Sequence, residues 1–196
     1  MQSEYMYELL AKVKDGDQQA FQAMYDATYK DVYRTVSFLV DHQQDREDIM
    51  NEIYMQMWTS LASYDMNRPF HFWLHGLVIR QVQRFRVKGW RRFRIFERIR
   101  IFSREEHHWD HPAVVTEGTN QEILQALQKL TDKQRTVTIL RFFHDYTLEE
   151  IAVLLDIPLG TVKSRYHAGL QALRKHVGNL PPERMEQLHD YGTQNP

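Results

Sequence analysis

The chain has 196 residues, a net charge of −1 and no cysteine, which excludes disulfides and thiolate metal sites. No apolar run reaches the about 18 residues that a membrane span requires, and the N-terminal stretch MQSEYMYELL lacks the basic start and apolar core of a signal peptide. We therefore expect a cytoplasmic protein with no direct membrane insertion.

The charges are distributed unevenly along the chain. Residues 80–104 contain ten Lys or Arg and a single acid, Glu97, for a net charge of +9. Residues 1–79 and 105–196 are acidic, at −6 and −4. Such a positive block favours a polyanionic partner such as nucleic acid, and a solvated helix face is the alternative. A nuclease or metal hydrolase would need carboxylates converging beside this block, so we do not expect an enzyme.

The first half of the chain is predicted to be helical throughout. Apolar residues follow the 3.6-residue period in a helix that stops at 15–17 and in a second helix over 21–39. Asp45 is predicted to cap a third helix, with Asp48 at its third position. From Phe70 a long helix runs into the basic block. No strand-like alternation of any length occurs, so the predicted fold class is all-α.

The second half is predicted to form a separate helical domain. Residues 103–119 show no sustained period and contain Pro and Gly, which indicates a flexible linker. Capping boxes at Thr131–Gln134 and Thr147–Glu150 predict the starts of two further helices. The predicted organisation is a first helical domain at 1–102, a linker at 103–119, a second helical domain at 120–178 and a C-terminal tail at 179–196.

The linker contains four potential metal ligands, His107, His108, Asp110 and His111. A lone loop cluster lacks the spaced second half that most zinc sites have. Linker histidines without fixed geometry are the favoured interpretation, and we predict neither a metal nor another cofactor.

The stretch IPLGTVKSRYHA at 157–168 indicates a nucleic-acid contact. A buried stripe of Val162, Tyr166, Leu170 and Leu173 would turn Thr161, Lys163, Ser164, His167 and Gln171 away from the core. With the short capped helix before it, this helix would complete a helix-turn-helix whose second helix enters a major groove. An ordinary helical hairpin with a polar outer face is the alternative. The absence of any acid from residue 159 to 174 favours DNA.

Residues 15–177 resemble the bacterial RNA polymerase sigma factors of the extracytoplasmic function (ECF) group. GDQQAFQAMYDATYKDVYRTVSFLVDHQQDREDIMNEIYMQMWTSLASYD with RPFHFWLHGLVIRQVQRFR resembles sigma region 2, and LTDKQRTVTILRFFHDYTLEEIAVLLDIPLGTVKSRYHAGLQALRKHV resembles region 4. The resemblance implies a factor that directs core polymerase to promoters of a stress- or envelope-related regulon. A stand-alone helix-turn-helix regulator is the alternative, but it would not explain the basic block.

The resemblance also implies partners and contact residues. Region 2 would bind the clamp helices of the largest polymerase subunit through Asp48, Asn51, Glu52, Tyr54, Met55 and Trp58. The −10 element would meet Arg80, Gln81, Arg84, Phe85, Arg86, Lys88, Arg91 and Arg92. Region 4 would contact the polymerase flap and read the −35 element with Thr161, Lys163, Ser164, Arg165, His167, Gln171 and Arg174. An anti-sigma factor is a further expected partner.

Overall fold

The computed structural model describes residues 2–97 and 121–177, and within them the side chains of residues 5–87 and 125–175. Every element described is helical, which confirms the all-α fold class. The described helices fall into two compact units, one within Met1–Asp110 and one within His111–Pro196. The predicted linker with its histidines and the predicted tail lie outside the described residues, so their boundaries stay predictions.

The first unit is built around the second of the four helices that the structure describes in it. The elements are α1 Gln2–Lys14, α2 Gln18–Leu39, α3 Gln43–Ser60 with a short 3₁₀ turn at Leu61–Ser63, and α4 Phe70–Glu97. α2 packs against α1, α3 and α4. The apolar faces of these helices meet in one core that includes Leu10, Met24, Val32, Val36, Ile53, Met57, Leu74 and Val78, all fully buried.

The break between α1 and α2 follows directly from its residues. Gly16 has a φ of +88°, a left-handed conformation that glycine adopts without a side-chain penalty. Asp17 then caps α2, because its carboxylate accepts hydrogen bonds from the backbone N–H groups of Gln19 and Ala20 at 2.8 and 3.1 Å. The predicted stop at 15–17 is confirmed.

The predicted start of α3 is wrong by one turn. The helix begins at Gln43 after His42, and Asp45 lies in its first turn, where its charge suits the helix dipole without capping. The physical reason is Arg46, which is fully buried. Its Nε and Nη2 donate to the carbonyls of Val40 and Asp41 at 2.8 and 2.7 Å, so the first turn of α3 must already be formed at Arg46.

The second unit contains α5 Gln121–Gln128, α6 Asp132–Phe142, α7 Leu148–Leu155 and α8 Leu159–Val177. Both predicted capping boxes are present, with Thr131 and Thr147 as the capping residues of α6 and α7. α8 packs against each of the other three helices. Among the described helices of either unit, none combines the length and the apolar character that crossing a membrane demands.

Candidate functional site

One exposed surface of the first unit lies on α3, opposite its buried stripe of Ile49, Ile53 and Met57. The exposed face consists of Asp48, Asn51, Glu52, Met55 and Trp58. Met55 is 65% exposed and Trp58 41%, which is unusual for large apolar side chains. Two apolar groups beside two carboxylates form a mixed surface of the kind that protein partners bind.

Trp58 is held in place by a residue that the sequence reasoning missed. The ring of Phe21, on α2, packs edge-on against the Trp58 ring, with the ring centroids 4.8 Å apart. Such aromatic pairs are favourable beyond the area they bury. Phe21 therefore restrains Trp58, and only the packing of α2 against α3 brings the two rings together.

Tyr54 is not on this exposed face, although the resemblance assigns it to the same contact. It is buried, its hydroxyl lies 3.0 Å from the Thr28 hydroxyl, and its ring lies 4.4 Å from the Tyr25 ring. Burial raises its pKa above the ordinary value for tyrosine. Tyr54 follows Met50 by one turn on the inner side of α3, so the structure gives it a place in the core.

A second candidate surface lies on the C-terminal half of α4. Arg80 and Arg84 are exposed and one helical turn apart, and Phe85 beside them is half-buried. Partial desolvation, followed by the nearby Arg84 charge, lowers the pKa of Arg80. Adjacent cations with an aromatic ring beside them suit a single-stranded nucleic acid, whose phosphates and bases they can contact.

Two other residues predicted for the −10 element are engaged within the unit. Gln81 is only 8% exposed, because it lies beside the buried Val78 and Val82 on the core side of α4. Arg86 is half-buried, and its Nη2 donates to the backbone carbonyl of Leu39 at 2.7 Å. Three more predicted residues lie on the α4 backbone with side chains outside the described part: Lys88, Arg91 and Arg92.

The third candidate surface is the helix-turn-helix of the second unit. α7 ends at Leu155, its C-cap Asp156 adopts a left-handed conformation with a φ of 51°, and α8 begins at Leu159. Val162 and Leu173 are buried, whereas Tyr166 and Leu170 are half-buried. The predicted inner stripe of α8 is therefore fully buried only at its two ends.

The exposed polar side chains of α8 lie on the side away from Val162. The exposed members of the predicted set are Lys163, Ser164, His167, Gln171 and Arg174, and the half-buried members are Thr161 and Arg165. Ser164 Oγ donates to the Thr161 carbonyl at 3.0 Å. The centroid of the Tyr166 ring lies 6.0 Å from that of the Phe142 ring and 5.6 Å from that of the His167 ring. Tyr166 therefore packs between α6 and His167, at the middle of the exposed face.

Gly169 is a further residue that positions α8 and that the sequence reasoning did not single out. A Cβ at Gly169 would lie 2.9 Å from Thr138 Oγ1 on α6. The two helices approach so closely at this point that only glycine fits without displacement. A lone glycine inside a helical pattern was the available signal.

Comparisons with known proteins cover both units. The family model for Sigma-70 region 2 matches residues 24–92, and the model for Sigma-70, region 4 matches residues 126–175. The chain is 32% identical over 180 residues to the ECF RNA polymerase sigma factor SigW of Bacillus subtilis, covering 87% of this chain and 96% of SigW. It is 29% identical over 186 residues to SigX of the same organism, covering 90% and 96% of the two chains.

A solved structure shares the fold. The sigma factor RpoE from Bartonella quintana, crystallised with the anti-sigma factor NepR, aligns with a TM-score of 0.67 at 21% sequence identity. The alignment covers 82% of this chain and 98% of that one.

Proposed function

Because this chain belongs to the ECF RNA polymerase sigma factors and directs transcription initiation, we propose that the exposed face of α3 binds the clamp helices of core polymerase. The observation that carries this proposal is the exposure of Met55 and Trp58 beside Asp48, Asn51 and Glu52. Large apolar groups at the centre of an interface, with charges around them, supply most of the binding energy in protein complexes.

The exposed cations of α4 are proposed to hold the melted −10 strand. Arg80 and Arg84 are the described members of this set, with Phe85 as the neighbouring ring. Lys88, Arg91 and Arg92 continue the positive charge along the same helix. Gln81 is left out of the proposed contacts because it is buried.

The N-terminal half of α8 is proposed to read the −35 element. Lys163, Ser164 and His167 are exposed near the start of the helix, where a recognition helix meets base edges. Arg165, which is half-buried, is proposed to steady a phosphate. The second unit is further proposed to contact the polymerase flap.

An anti-sigma factor is a proposed regulatory partner. One support is the solved complex of RpoE with NepR. The other is the set of exposed apolar side chains on α3, which such a partner would cover while the protein is not bound to polymerase. Since polymerase and promoters are the targets, we propose that the protein acts in the cytoplasm. A stand-alone regulator is disfavoured because the family models match both units.

Charge reversal on α3 tests the polymerase contact. Glu52→Lys puts a cation on the proposed face, and Glu8→Lys makes the same change at an exposed acid on α1. We expect Glu52→Lys to weaken assembly with core polymerase at least about tenfold, because a like-charge or mismatched pair at an interface costs several kcal/mol. Glu8→Lys should assemble normally. Equal assembly by the two variants, with unchanged far-UV circular dichroism, would move the interface elsewhere.

A further inference from the structure

Two guanidinium groups converge on the C-terminal end of α2. The last carbonyls of a helix lack intrahelical donors and carry partial negative charge. Arg86 Nη2 lies 2.7 Å from the Leu39 carbonyl, while Arg46 donates to the carbonyls of Val40 and Asp41. Leu39 and Val40 are buried, so these hydrogen bonds form at the edge of the core.

The bond from Arg86 occurs where α4 leaves the core. Val82 is 1% exposed, whereas Gln83 and Arg84 are exposed and Phe85 is half-buried. α4 nevertheless continues to Glu97 and carries its basic residues on this extension. A hydrogen bond from a charged donor is roughly twice as strong as a neutral one, so a bond here restrains the direction of the extension.

We propose that Arg86 is a positioning residue whose hydrogen bond to Leu39 aims the basic end of α4, and that it does not contact DNA itself. The inference rests on the proposed function of α4. It also explains why one arginine of the basic block is half-buried when Arg80 and Arg84 are exposed.

Matched methionine variants separate positioning from phosphate contact. Arg86→Met and Arg84→Met each remove one charge and keep an unbranched side chain that can pack. Each would be assembled with core polymerase and titrated at several salt concentrations with a pre-melted promoter, itself selected by run-off transcription from a genomic library. Amide hydrogen exchange at residues 36–42 would be measured on the same proteins.

The two roles predict different results. We expect Arg84→Met to lower the slope of log affinity against log salt by about one unit, since one phosphate contact is lost. Arg86→Met should leave that slope unchanged, weaken binding about tenfold at every salt concentration, and speed exchange at residues 36–42. A slope lowered by one unit in Arg86→Met, with exchange unchanged, would overturn the proposal.

A second measurement needs no substitution, so it does not depend on whether a variant folds. In the unaltered holoenzyme, exchange at residues 36–42 should stay the same when the pre-melted promoter binds, because the bond to Leu39 persists. Faster exchange on binding would mean that Arg86 leaves Leu39 for the DNA, and would overturn the proposal. If Arg84→Met alters neither affinity nor slope, the DNA-binding role of α4 fails, whereas faster exchange at residues 36–42 in Arg86→Met would still report the bond between α4 and α2.

Discussion

Replacing Gly169 by alanine should destabilise the second unit, although alanine is the better helix former. The added Cβ would lie 2.9 Å from Thr138 Oγ1 and 3.6 Å from Gln134 Cβ, whereas two non-bonded heavy atoms ordinarily approach to about 3.5 Å. Overpacking of this kind costs about 2 kcal/mol, and the gain in helix propensity returns about 1 kcal/mol. We therefore expect a net loss of about 1 kcal/mol.

Gly160 provides a matched control on the same helix. A Cβ at this position meets no heavy atom within 4 Å. Gly160→Ala should therefore be neutral or stabilise the unit by up to about 1 kcal/mol, through propensity and the entropy of the unfolded chain. The two substitutions are chemically identical, so the difference between their effects on stability reports the close approach of α8 to α6.

Thr138→Ala removes the atom that the new Cβ would meet. In that background Gly169→Ala should lose its cost, which gives a coupling energy of about 2 kcal/mol in a double-mutant cycle. The assay is amide hydrogen exchange of peptides from α8 in the full chain, because it reports local opening free energy. Tryptophan fluorescence would not report on this unit, since no tryptophan lies within residues 121–177.

Equal protection of α8 in Gly169→Ala and Gly160→Ala would refute the expected loss, because the helices would then have room for a methyl group. A loss that persists in the Thr138→Ala background would mean that a neighbour other than Thr138 is displaced.

Four further outcomes are expected. Arg46→Met should destabilise the first unit by about 3 kcal/mol in urea unfolding, because it leaves the buried Val40 carbonyl and the part-buried Asp41 carbonyl without their charged donor. Burial raises the pKa of Tyr64 to about 12. The folded state therefore favours the neutral phenol, and this contribution to the free energy of unfolding is complete below pH 10 and lost between pH 10 and 12. Unfolding curves across that range should show the loss, and Tyr64→Phe should reduce it. Lys163→Ala should cost about 1–3 kcal/mol on the cognate −35 site and flatten the preference at one base pair. Arg165→Ala should weaken all sequences alike, and transcription from single-base −35 variants at two salt concentrations distinguishes the two.

Features that depend on neighbours in the chain could be predicted from the sequence. The stop at residues 15–17 and the boxes opened by Thr131 and Thr147 each arise from residues close together in the chain, whose geometry follows from residue type and spacing. The buried stripe of α3 and the exposed acids opposite it follow from helical periodicity in the same way. These local rules are sufficient to predict the all-α class and the helix-turn-helix.

Whether a residue at the edge of a helical stripe is buried or exposed was decided by tertiary structure alone. The same helix position can be buried or exposed, depending on how far the adjacent helix extends over it. Packing against α2 brings Tyr54 to the Thr28 hydroxyl, and the core-side position of Gln81 buries it beside Val82.

The partners of Arg46 and Arg86 are the clearest case of contacts that the sequence does not predict. Arg46 and Arg86 look like solvent or DNA contacts in the sequence, since charged residues are seldom buried. Both instead donate to carbonyls at the end of α2, six residues away for Arg46 and 47 for Arg86. An unpaired helix end attracts whichever cation the fold brings within reach, and only the packing of α2 against α3 and α4 determines which cations those are.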